Sequence, residues 1–175
     1  RYYFQYTLLD NPRTVDPKSP PVEAAIKTFQ ELAGMIDAQR VIWRYDPIVL
    51  SEATPPAFHV QAHARIAEAL AGCTLRNVIS LLDIYRKAQG RLGQLRSQGI
   101  TIGEFKPDAV GEEVAAMLSG LAANAQRSGM EITSCAEEAD WLAYGICPGK
   151  CVDDEYIDRT FGLRLKLKKD PSQRP

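Results

Sequence analysis

Val41-Ile-Trp43 is a short apolar run between Gln39-Arg40 and Arg44. Its length and β-branched content predict a buried strand rather than a helix. Tyr2–Leu9 shows the same character, aromatic and β-branched with Gln5 and Thr7 near its end, and so do Asn77–Ile84 and Met130–Cys135. Between these runs the apolar period changes from strand-like to helical. Val22, Ile26, Phe29, Leu32, Ala33 and Ile36 recur at helical spacing, as do Phe58, Ala62, Ile66 and Leu70. Val110, Val114, Met117, Leu118, Leu121 and Ala125 do likewise. Ser19 and Thr54, each followed by Pro, and Pro107-Asp108 read as helix starts, while Gly72 and Gly129 read as stops. Asp153 or Asp154 is positioned to cap a short helix holding Ile157 and Phe161 and closed by Gly162. Leu163–Lys169 alternates apolar and basic residues as a half-exposed strand or extended arm does. Strands alternating with helices predict an α/β domain with a parallel sheet and crossover helices, a partial (β/α) barrel of the TIM type.

Composition narrows the class. The chain has 175 residues, 45% of them hydrophobic, enough for a single well-buried α/β domain over 1–175. A net charge of -1 points to neither nucleic acid nor an anionic membrane. No apolar run approaches the roughly 18 residues of a spanning helix. Four cysteines are too few for a disulfide scaffold and predict a reduced, cytoplasmic setting. No Gly-rich phosphate loop and no serine elbow is present. The chain starts without Met, directly in a strand, and closes on the turn-like Asp170-Pro-Ser-Gln-Arg-Pro175. These ends predict an internal piece of a longer protein, incomplete at both ends, with an apolar sheet edge that invites self-association.

Candidate chemistry gathers at the predicted strand ends. Arg44 and Asp46, two apart on a strand, point to one side. In parallel sheets the carboxyl strand ends face the ligand crevice. The pair reads either as part of a site or as a structural ion pair. Asp83 and Tyr85 approach the end of the third strand, and Arg86, Lys87, Arg91 and Arg96 follow as a solvated stretch or an anion clamp. His59 and His63 are one helical turn apart, a possible metal spacing, but no nearby carboxylate completes a ligand set and an exposed pair is expected. Cys135, Cys147 and Cys151 are candidate metal ligands: the turn Pro148-Gly-Lys150 would bring three thiols together, with Lys150 and nearby arginines lowering their pKa values. The alternative is three free thiols.

Arg1-Tyr-Tyr-Phe-Gln-Tyr-Thr7, Arg40-Val-Ile-Trp-Arg-Tyr-Asp-Pro47, Leu82-Asp-Ile-Tyr-Arg-Lys87, Ser134-Cys-Ala-Glu-Glu138, Leu165-Lys-Leu-Lys-Lys-Asp170 and Gln173-Arg-Pro175 occur in that order. Together they resemble the uncharacterised family DUF1848, described as radical-SAM-like with a C-terminal cysteine cluster. The resemblance implies an iron–sulfur cluster and S-adenosylmethionine as cofactors of a longer chain, with this chain an internal segment lacking that cluster. It also implies Cys135 and Cys151 as contributors to an auxiliary cluster and Cys147 as a bystander. On the enzymatic reading, Gln5, Arg44, Asp46, Asp83, Tyr85 and Glu137 bind an unknown small-molecule substrate. The competing reading is a binding or assembly module without chemistry of its own.

Overall fold

A computed structural model describes residues 2–82, 93, 99, 101–103, 110–135 and 140–164. Strand β1 (Phe4–Thr7) leads through a loop to helix α1 (Val22–Ile36), followed by β2 (Val41–Ile48), α2 (Pro56–Ala69) and β3 (Arg76–Leu81). Helix α3 (Glu112–Arg127), β4 (Glu131–Ser134) and α4 (Asp154–Phe161) complete the regular elements, with short 3-10 turns at Ala38–Arg40 and Leu142–Tyr144. The four strands form one sheet in the order β1-β2-β3-β4, every pair parallel. Sequential parallel order requires each connection to cross over the same face, and helices make those crossovers.

Strand alternation divides the residues between two faces. On the helix face, Val41, Trp43 and Tyr45 of β2, Ile79 and Leu81 of β3 and Ile132 of β4 join Phe29, Ile66, Met117, Leu118 and Leu121 in one core. Trp43 is fully buried, and its indole N–H donates to Leu8 O at 2.9 Å. The inner face carries a smaller cluster of Ile42, Val78 and Tyr156, with Tyr3 and Cys135 packed against it. Helix α4 covers the amino-terminal end of that face. Asp153 caps it by accepting from Tyr156 N at 3.0 Å, and Gly162 closes it in the left-handed region at φ 62°. The buried Arg76 guanidinium lies 4.1 Å over the Tyr156 ring and pairs with Glu131 and Asp153. Burial alone would raise the Asp153 carboxyl. The Tyr156 amide and Arg76 overcome that and hold it below its ordinary value.

Several expectations change in detail. β2 runs through Pro47, with a register break between Tyr45 and Ile48 where the proline has no N–H to give. Ser19 does not cap α1: its hydroxyl donates to Asp16, and the helix begins after Pro21. Thr54 is likewise turned away from α2, donating to Val49 O at 2.6 Å. The third core helix begins at Glu112, after Gly111, so that Val110 precedes it, and Pro107-Asp108 lie outside the described residues. The stretch Leu165–Lys169 and the basic residues Arg86, Lys87, Arg91 and Arg96 lie outside the described residues.

Candidate functional site

Alternation puts Gln5 of β1 and Arg44 and Asp46 of β2 on the inner face, toward the carboxyl ends of their strands. Register places Gln5 beside Ile42, one pleat before Arg44. Arg44 Nε donates to Asp46 Oδ1 at 2.8 Å and to Oδ2 at 3.0 Å, and Nη2 also meets Oδ2. Nη1 donates to Gln5 Oε1 at 2.6 Å. Nη2 further reaches Cys135 Sγ at 3.2 Å, just beyond the end of β4. The Asp46 carboxylate holds the Arg44 guanidinium further above its already high pKa, against the opposing effect of burial. Arg44 and Asp46 are therefore a partly buried ion pair whose remaining contacts bind β1 to the end of β4.

The loop after β4 completes the cluster. Gly145 adopts φ 82°, and Ile146-Cys147 then runs back beside β4: Ser134 N donates to Cys147 O at 2.9 Å and Cys147 N to Ile132 O at 3.1 Å. This parallel pairing covers the outer edge of β4. A Cβ on Gly149 would stand 2.2 Å from Ser134 O, so only glycine lets the loop approach so closely. Beyond that approach, Cys151 lies over the inner face with its sulfur 3.3 Å from Cys135 Sγ, and Gln5 Nε2 donates to Cys151 O at 2.9 Å.

Cys135 differs from expectation in its ionisation. Burial, with the Cys151 contact adding to it, pushes the Cys135 thiol up to about 11 even though Arg44 favours the thiolate. Lys150, expected to lower thiol pKa values, is engaged with Asp154 at 2.6 Å and with Glu155 at 3.4 Å. Cys135 is a thiol at neutral pH because the desolvation of a thiolate outweighs one guanidinium already shared with a carboxylate.

All four cysteines are among the described residues, and they do not form one cluster. Cys73 is half-buried in the turn before β3, at the opposite end of the sheet from Cys135, and packs against the helix-side core. Cys147 is exposed. Among the described residues no group of three His, Cys, Asp or Glu side chains is placed to hold a metal ion. A cubane cluster takes about four thiolates, so the two adjacent thiols do not fit one. Asp83, Tyr85 and Glu137 lie outside the described residues.

His59 and His63, expected to be exposed, are both fully buried. The stripe of α2 that meets the sheet includes them, because Ala-rich surroundings leave room for imidazoles against Trp43 and Tyr45. His59 Nε2 donates to Val49 O at 3.0 Å, and its Nδ1 meets the Tyr45 hydroxyl at 3.0 Å. His63 Nε2 donates to Asn77 Oδ1 at 3.0 Å while its ring stacks on Trp43 at 4.6 Å. Sequence reading also missed a polar cavity of about 580 Å³ at the β1–α1 loop, lined in part by Asp10, Asn11, Arg13, Glu23 and Arg65. The only signal there is the polar run Asp10-Asn-Pro12 directly after a strand. Among the described residues no helix is long and apolar enough to cross a membrane.

Compared with known proteins, residues 1–175 match the model of a family described as a domain of unknown function, DUF1848. The match spans the whole chain and overturns the expectation of an internal segment lacking the family's cysteine cluster. No curated protein and no solved structure matches the chain.

Proposed function

The chain belongs to the DUF1848 family, and on that premise we propose that the inner-face cluster is a small-molecule site in a (β/α)-barrel enzyme. One observation carries this reading. Gln5 of β1, Arg44 and Asp46 of β2, and Cys135 just past the end of β4 are joined through the Arg44 guanidinium toward the carboxyl end of a parallel sheet, where such sheets take their ligands. The charge balance narrows the ligand class. Asp46 already neutralises Arg44, so a lone anion gains little, whereas a zwitterionic head finds a carboxylate and a guanidinium side by side. Gln5, with an amide that both donates and accepts, orients such a head. Asp83, Tyr85 and Glu137, which lie outside the described residues, belong to the same proposal by their place in the sequence alone.

An amino-acid head of this kind is present on S-adenosylmethionine, the cofactor that the family resemblance implies. The iron–sulfur partner of that chemistry does not fit this chain's cysteines, and no step is derived through it. A cytoplasmic location belongs to the same reading.

Calorimetric titration of the protein with S-adenosylmethionine and with methionine tests the site. We expect saturable binding of at least one, weakened tenfold or more, about 1.4 kcal/mol, in both Gln5→Leu and Asp46→Asn. Circular dichroism shows whether each variant retains its fold. Absence of binding to the wild type, or equal affinity in folded variants, overturns the assignment.

A further inference from the structure

We propose that Cys135 and Cys151 are a reversible redox modification site, closing to an intramolecular disulfide that ties the loop after β4 to the inner face of the sheet. The inference rests on the thiol geometry and stands whether or not the cluster binds a zwitterion. The two sulfurs are 3.3 Å apart, and reaching the roughly 2.05 Å of a disulfide takes a movement of about an ångström. Both thiols are half-buried, and the approach is built rather than incidental. Gly149 is pressed against Ser134 O, Ile146-Cys147 is paired to β4, and the Cys151 carbonyl is held by Gln5 Nε2. Three contacts on separate residues thus hold Cys151 over Cys135. The other two cysteines are placed differently. Cys73 is at the far end of the sheet, and Cys147, although four residues from Cys151, is exposed.

The oxidant is a low-molecular-weight disulfide. One cysteine, as its thiolate, attacks a sulfur of that disulfide; the S–S bond breaks, and the leaving thiolate takes up the proton the cysteine released. The second cysteine then loses its proton and attacks the mixed disulfide, expelling the other small thiolate, which is protonated in turn. Two cysteine thiols are oxidised by two electrons in all, and one small disulfide is reduced to two thiols. In the oxidised protein the Cys135 sulfur no longer has a thiol proton, and the loop carrying Cys151 is fixed over Gln5 and Arg44. The bond therefore reports the redox state at the strand-end site.

Equilibration of the whole chain in glutathione buffers of graded reduced-to-oxidised ratio, followed by alkylation and peptide mapping under non-reducing conditions, tests this. The expected result is a loss of two alkylatable thiols per chain with a single midpoint and a Cys135–Cys151 peptide cross-link. Cys73 and Cys147 are expected to enter no protein disulfide, and any glutathione adduct they carry is counted apart from those two thiols. A Cys73→Ser/Cys147→Ser variant is expected to keep the same midpoint, and phenylarsine oxide to protect both remaining thiols from alkylation. In Cys135→Ser the Cys151 thiol is expected to stop at a glutathione adduct. A Cys147–Cys151 cross-link, a disulfide between chains, or Cys135 and Cys151 both remaining free in fully oxidised glutathione overturns the proposal.

Discussion

At the residue scale, the two histidines show how burial decides protonation. His63 donates from Nε2 to Asn77, which leaves its Nδ1 as a buried lone pair without a hydrogen-bond partner. Protonation there would place a cation between Trp43 and Tyr45 with no acceptor. Burial accordingly pushes His63 down to about 4, and His59 is lowered by the same cause. A folded pKa below the ordinary 6.5 means that the unfolded chain takes up the proton first as the pH falls. The stability tied to neutral His63 is complete above about pH 6.5 and is lost progressively towards pH 4. The size of that loss is about 3 kcal/mol. Urea unfolding at pH 7.5 and at pH 5 is expected to show a clear fall in stability. His63→Gln is expected to be less stable at pH 7.5 but to have a flatter pH profile. An unchanged pH slope in that variant would remove His63 as the cause.

At the element scale, the loop between β4 and α4 depends on one side chain that is absent. With Gly149 against Ser134 O, any Cβ must push the loop off β4, breaking the pairing of Cys147 with Ile132 and Ser134. Gly149→Ala is expected to cost about 2–3 kcal/mol, in the range of overpacked sites. It is also expected to slow formation of the Cys135–Cys151 disulfide, because displacement of the loop moves Cys151 away. Thermal melts and a timed alkylation assay read the two effects. A variant with wild-type melting and wild-type cross-linking would show that the loop's approach is not fixed by Gly149. Helix α4 is held differently, by the Asp153 cap and by Arg76 between Glu131 and Asp153. The loop and the helix together cover the inner face from two ends, through separate contacts.

At the scale of the whole molecule, the sheet is asymmetric. The outer edge of β4 is covered by Cys147, whereas β1 has β2 as its one strand partner among the described residues. Tyr2 and Phe4 stand beside that edge, 58% and 47% exposed, with their rings packed edge to face. An unpaired edge with exposed aromatics is a template for another strand. Light scattering on a column is expected to show a mass that rises with concentration. Phe4→Lys is expected to hold the chain monomeric, since an edge lysine opposes strand addition. A constant monomer mass for the wild type over the same range would contradict this.

The hydrophobic periods along the chain determined the order of strands and helices, and the parallel sheet followed because each strand pair is separated by a helix long enough to cross over. The strand alternation of Arg44 and Asp46 also made their shared side of the sheet legible, whereas the side that Gln5 faces was set by the register of β1 on β2. Local chemistry at Asp153 and Gly162 was sufficient to bound α4, since a cap and a left-handed residue act within one turn. Ser19 and Thr54 have the same chemistry as caps, yet each finds a nearer acceptor in its own loop, a choice that no local pattern encodes. Cys135 and Cys151 are 16 residues apart and meet only because β4, Gly149 and Gln5 fix the path between them. Burial of His59 and His63 was likewise decided by the sheet against which α2 packs. Period and propensity act over one or two turns of chain, whereas desolvation and side-chain contact depend on which distant residues the folded sheet brings together.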